Sequence, residues 1–355
     1  MKSSKGLMRP AMVSVLICGV LACCGCASIG PETVARDRFD YSRSISDSWK
    51  RQMLLNIVKL RYLDTPTYVE VGQIVAGYSL EADVSLGAEL VKGGDGSLAV
   101  GGVGRYTDRP TITYTPLTGT KFIRSSLMPL PPDAVFFMLQ AGWPADGVLL
   151  AAVASINGLK NQQVTLAGVT PPDPDFLRVL ELLRRIQQSG AVALRVQVDA
   201  QKHQTTILTF QARPASAEVV ADIAELRRLL RLNEEAREFN LVFAAAPAND
   251  HELAVVTRSH IQIMVTMAAH VAVPPEDVAE VRATPGLGEA ATLHIGCART
   301  PPADAFVGVA YRDRWFWIDD RDLVTKRAFA LLMMLTTLAD TGEREPLPLI
   351  TIPAQ

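Results

Sequence analysis

Apolar positions along this chain change period several times, and the changes mark its elements. Ile45, Trp49, Met53, Ile57, Leu60 and Leu63 recur at intervals of three and four, the spacing of one helical face. Ser44, with Asp47 three residues on, makes a capping-box-like start, and Pro66 closes the segment. Beyond it the period drops to two. Leu80, Ala82, Val84, Leu86, Ala88 and Leu90 alternate with Glu81, Asp83, Ser85, Gly87 and Glu89, as in a strand with one wet face. The glycine-rich run 92–96 predicts a bend, and Leu98, Val100, Tyr106, Ile112 and Tyr114 predict a return strand. The reading is a long β-hairpin ended by prolines 129, 131 and 132, then a helix over 132–140 with proline near its first position.

The rest of the chain predicts a helix over 174–188, strands over 193–198 and 205–210, and a helix over 216–231. A helix over 258–270, strands over 306–311 and 314–318, and a helix over 320–338 follow. The expected fold class is α+β, with helices packed on antiparallel β-hairpins, and the order suggests repeated α-β-β-α units. Four regions are expected: a signal peptide at 1–22, a lipidated N-terminus and tether at 23–43, an N-terminal α+β region at 44–170 that carries the long hairpin, and a C-terminal α+β region at 171–355.

The signal peptide rests on Lys2, Lys5 and Arg9 followed by an uncharged apolar run from Ala11 to Ala22, shorter than the ~20 residues a helix needs to cross a bilayer. Val20-Leu21-Ala22-Cys23 resembles the bacterial lipobox, which makes Cys23 the acylated residue and Cys26 the alternative. No Asp follows either cysteine, which favours the outer over the inner membrane. Cys23 and Cys26 also spell C-x-x-C, but no second pair or His pair accompanies them. Beyond the 23–26 cluster the only cysteine is Cys297, so an internal disulfide is not expected.

Composition narrows the classes. With 355 residues, 48% hydrophobic, 20% charged and a net charge of −2, the chain is neither disordered, collagen-like nor a polytopic membrane protein, and has no basic excess for gripping nucleic acid. The glycine segment lacks the helix N-terminus that a phosphate loop needs, so a hairpin is the better reading. Its amphipathic strands also have the length that spans an outer membrane in a barrel.

Candidate chemistry is sparse. His203, His251, His260, His270 and His294 form no chelating pair along a helix, Ser259 beside His260 makes no dyad, and no metal site or cofactor is expected. The densest stretch runs from Tyr311 to Asp322, where Trp315 and Trp317 share a strand face and run into Asp319, Asp320 and Asp322. These acids are read as helix-capping groups in preference to cation ligands. Arg258, Arg312, Arg314, Trp315 and Trp317 are the expected partner surface.

The runs 37–41, 48–64 and 110–119, Thr257-Arg258-Ser259, and the runs 315–322 and 350–353 resemble a family of predicted lipoproteins from Gram-negative bacteria. That resemblance spans nearly the whole mature chain and implies location and a shared fold, but no activity. The leading expectation is a lipid-anchored, periplasm-facing envelope protein. It would bind or scaffold a protein partner in a membrane-associated assembly, without enzymatic activity. A hairpin-donating homo-oligomer that lines an outer-membrane pore is the alternative. An envelope hydrolase built on His294 and Asp319 to Asp322 is the third.

Overall fold

The computed structural model describes residues 29–75, 78–89, 97–165, 168–198, 204–210, 216–284, 286–288 and 291–339. The lipobox cysteines, the 92–96 bend, His203 and the run 350–353 lie outside the described residues. The chain divides into two compact units, one of residues Met1–Ser46 with Val71–Tyr114 and the other of Asp47–Glu70 with Thr115–Gln355. The fold is α+β.

Helix α1 (Ile29–Arg61) begins well before Ser44, so the described residues of the expected tether are helical. They carry no apolar stripe, and only that stripe marked the helix from Ser44 onward. Strand β1 (Val69–Val75) leads to β2 (Tyr78–Glu89), β3 (Ser97–Asp108) and β4 (Thr111–Pro116). β2 and β3 pair antiparallel from Tyr78↔Asp108 to Glu89↔Ser97 without a break. The return strand ends there instead of continuing to Tyr114. Pro110 lacks the N–H a ladder needs, and β4 pairs with β1 instead.

The larger unit continues with a short helix α2 (Gly119–Phe122) running into a π-turn at Ile123–Leu127, then α3 (Pro132–Gln140) and α4 (Ala145–Ala152). Strands β5 (Val153–Ile156), β6 (Leu159–Lys160), β7 (Gln163–Thr165) and β8 (Gly168–Thr170) lead to α5 (Pro174–Gln188). Next come β9 (Val192–Val198), β10 (Gln204–Phe210), α6 (Ala217–Leu230), β11 (Glu238–Val242), β12 (Glu252–Thr257) and α7 (His260–Ala268). The described chain ends with α8 (Pro275–Ala279), β13 (Gly296–Ala298), β14 (Ala305–Tyr311), β15 (Arg314–Asp319) and α9 (Leu323–Ala339).

Six strands form one sheet in the order β6-β5-β12-β11-β10-β9, with β11 and β12 parallel and the other pairs antiparallel. β5 and β12 lie on opposite sides of the expected boundary at 170, yet they pair directly, so that boundary does not divide the fold. On α5, Phe176, Val179, Leu180, Leu183 and Ile186 recur at helical spacing and are buried. Its outer face is tied to α6 by two-pronged pairs, Arg178 to Glu225 at 2.8 and 2.7 Å and Arg185 to Asp222 at 2.8 and 2.6 Å.

A separate three-stranded sheet has the order β13-β15-β14. The three expected α-β-β-α units therefore place their hairpins in three different sheets: β2-β3 alone, β9-β10 in the six-stranded sheet, and β14-β15 in this one.

Candidate functional site

The Trp-bearing strand β15 is the centre of its sheet, and its register sorts side chains by face. Phe316 and Ile318 are fully buried, whereas Trp315 and Trp317 alternate with them and are half-buried on the opposite face. Every residue paired with the two tryptophans is small. Gly296 and Gly308 flank Trp317, and Ala298 and Ala310 flank Trp315. A Cβ at position 296 would fall 2.7 Å from the Trp317 ring, so only glycine lets the indole lie across β13. The sheet thus presents two rigid indoles in a corridor of glycine and alanine.

Arg312 sits in the turn that closes β14 and β15, and Arg314 is the first residue of β15. Arg312 sits at φ +53°, a left-handed conformation that a non-glycine residue adopts at some cost, and it is exposed. Its guanidinium lies 4.6 Å from the ring centre of Tyr62 and 5.5 Å from that of Tyr311, stacking that helps offset the strain. Tyr62 donates to Asp277 at 2.7 Å, and burial with that carboxylate beside it pushes its phenol well above the ordinary range. Tyr311 donates to Asp64 at 2.9 Å, and Arg314 pairs with Glu276 at 2.7 Å. Four of the five expected partner-surface residues therefore lie on one sheet and its turn, but the arginines do not join the tryptophans: Arg314 shares the face of Phe316, and Arg312 stacks on Tyr62, which packs edge-on against Phe316.

Arg258 does not join them. It is 5% exposed, and its guanidinium donates to the carbonyls of Leu150 and Ala151, both at 3.0 Å, and to that of Gln162. Its place at the end of β12 beneath α4 makes it an internal tie, not a surface group. No family model, curated protein or solved structure matches the chain.

Of the acidic run, Asp322 alone caps the helix that follows. Asp322 immediately precedes α9 and accepts from the Val324 and Thr325 amides at 3.1 and 3.0 Å and from the Thr325 hydroxyl at 2.6 Å. Asp320 pairs with Lys326, and Asp319 accepts the Arg321 amide. His294 Nδ1 lies 3.5 Å from Asp322, but its ring is largely exposed, and the neighbouring Thr325 hydroxyl is fully buried. Among the described residues no three His, Cys, Asp or Glu side chains are grouped to hold a metal ion.

Ser259 caps α7 and forms a capping box with Gln262, while the His260 ring turns inward to Thr336, 2.8 Å from its hydroxyl. Sequence reading missed a buried cation, Arg61, at the last position of α1 and 2% exposed. Its signal was faint: an arginine one position beyond an apolar stripe is ordinarily a solvated helix end.

Proposed function

We propose that this chain is a lipid-anchored, periplasm-facing protein of a Gram-negative envelope that binds or scaffolds a protein partner in a membrane-associated assembly. Cys23 is the expected lipid attachment site and Cys26 the alternative. The observation that carries the binding role is the Trp315 and Trp317 face, held open by small neighbours. Aromatic and arginine side chains on a rigid frame lose little entropy on contact and supply most of the energy at protein interfaces.

The test crosslinks the full-length protein in native membranes and identifies both the partner and the N-terminal peptide by mass spectrometry. Trp315→Ala with Trp317→Ala is expected to reduce partner capture at least about tenfold, the loss of one interface anchor or more. The melting temperature should fall by only a few degrees. Capture unchanged in the double variant would remove the Trp face from the interface, and an unmodified N-terminus would remove the anchor.

The β2-β3 ribbon supports a second reading, a homo-oligomer lining an outer-membrane pore. Its register places positions 80, 82, 84, 86 and 88 on the same face as 98, 100, 102, 104 and 106, so each of these five positions of β2 is paired with an apolar residue or glycine of β3. Strands of 12 residues extend about 40 Å, more than a tilted strand needs to cross a bilayer. In outer-membrane preparations the segment 79–106 is then expected to resist protease and the protein to run as detergent-stable rings. Val84→Lys with Leu86→Lys should abolish both, since a cationic side chain at mid-membrane costs about 2–4 kcal/mol. Full cleavage of that segment in the wild type would end this reading.

A further inference from the structure

We infer that the cavity beside Arg61 is a binding site for an apolar monocarboxylate, a fatty acid in chemical class. The cavity has a volume of about 490 Å³, within the range of small-ligand sites, and its wall is mostly aliphatic: Val271, Val273, Leu287, Leu293 and Ile295. Arg61 lines it. The guanidinium donates through Nε to the Val271 carbonyl at 3.1 Å and through Nη1 to the carbonyl and hydroxyl of Thr284. All of these partners are neutral, and among the described residues Arg61 has no carboxylate partner. Its Nη2 carries no hydrogen bond there. A buried positive charge without a counter-charge is costly, and an anion entering the cavity would relieve it.

The surroundings select the kind of anion. Nε and Nη1 are already engaged, which leaves one nitrogen and one charge for the ligand. That matches a singly charged head better than a phosphate, which needs more donors. His270 also lines the cavity. Its Nδ1 accepts the Leu293 amide at 3.3 Å, so the neutral ring carries its proton on Nε2, a second uncharged donor with no partner among the described residues. His294 lines the cavity as well, and the nearby Asp322 is occupied by the amides and hydroxyl of α9. Gly286 lies against the guanidinium. A Cβ there would fall 2.7 Å from Nη2, so any other residue would push the arginine out of place.

The inference stands whether or not the chain carries a lipid, and the test uses the full chain. Binding of octanoate is measured by titration and compared with octanol, which has the same tail without the charge, and with inorganic phosphate. Octanoate is expected to bind saturably and at least about tenfold more tightly than octanol, the worth of one charge-assisted hydrogen bond, with no binding of phosphate. Leu287→Trp, which fills the cavity without touching the arginine, should abolish binding, and Arg61→Met should weaken it at least tenfold. Should Arg61→Met fail to fold, the octanol comparison and Leu287→Trp still decide. Equal binding of octanol, phosphate bound in place of octanoate, or octanoate bound undiminished by Leu287→Trp would each overturn the assignment.

Discussion

Arg258→Met is expected to destabilise the protein by at least about 3 kcal/mol, read as a lower denaturant midpoint at unchanged slope. The loss comes from three carbonyls at once. Leu150 and Ala151 lie in the last turn of α4, where carbonyls have no partner within the helix and carry the negative end of its dipole, and Gln162 leads into β7. Arg258 reaches all three from the end of β12. Burial lowers its pKa to about 10, which leaves it charged at neutral pH, so each bond is charge-assisted. Methionine keeps the length of the stem and removes every donor. Asn161, also buried, still holds the Leu150 carbonyl at 2.8 Å and that of Val153 at 2.6 Å, but nothing replaces the bonds to Ala151 and Gln162. Arg258→Lys should recover only part, because an ammonium cannot spread across three acceptors as a planar fork does. Stability within about 0.5 kcal/mol of wild type would return Arg258 to the surface.

Arg258 also shows where reading the sequence stops. An arginine between a strand and a helix start reads as exposed on base rates, and only the passage of α4 over the end of β12 makes it internal. Elements with strong local signals were legible: Pro132, Pro174 and the stripe of α5 placed α3 and α5, and the alternating run placed β2. The split between the units was not, since it depends on which strands pair, and β5 with β12 spans about a hundred residues of chain. One local signal was there to be used. Asn157-Gly158, both at positive φ, closes the tight β5-β6 hairpin, and Asn-Gly is the pair that such turns favour. The Trp face was legible as a period of two, but the glycines that hold Trp317 open lie on strands paired through space, so its rigidity was not. Arg61 was hidden for the same reason as Arg258: both cations are internal because of distant backbone carbonyls, which leave no mark on neighbouring residues.

Stability should fall as the pH drops from 7 to 5, and His260 should carry a large part of that fall. The ring is 1% exposed and burial lowers its pKa to about 4, against about 6.5 in the unfolded chain. Above pH 6.5 neither state is protonated, and the neutral ring rests against Thr336 at no penalty. As the pH falls below 6.5 the unfolded chain binds a proton that the native ring refuses until about pH 4, so the stability loss grows across that window and levels off below it. By pH 5 the loss from His260 amounts to about 2 kcal/mol. His270, with a pKa also lowered to about 4 by burial and by the nearby His294, acts in the same direction with less weight because its ring borders the Arg61 cavity. Asp64, Asp250, Asp322 and Glu225 have pKa values lowered from the ordinary carboxylate range, so their contributions are lost mainly as the pH falls below about 4, under the range that a comparison of pH 7 with pH 5 covers. Denaturant unfolding at pH 7 and pH 5 should therefore give a steep difference in the wild type and a shallower one in His260→Gln, whose amide can still face Thr336. The comparison reads a slope and not a level, so any constant cost of the substitution cancels. An unchanged difference between the two pH values in that variant would remove His260 as the acid-sensitive group and leave His270 as the ring to substitute next.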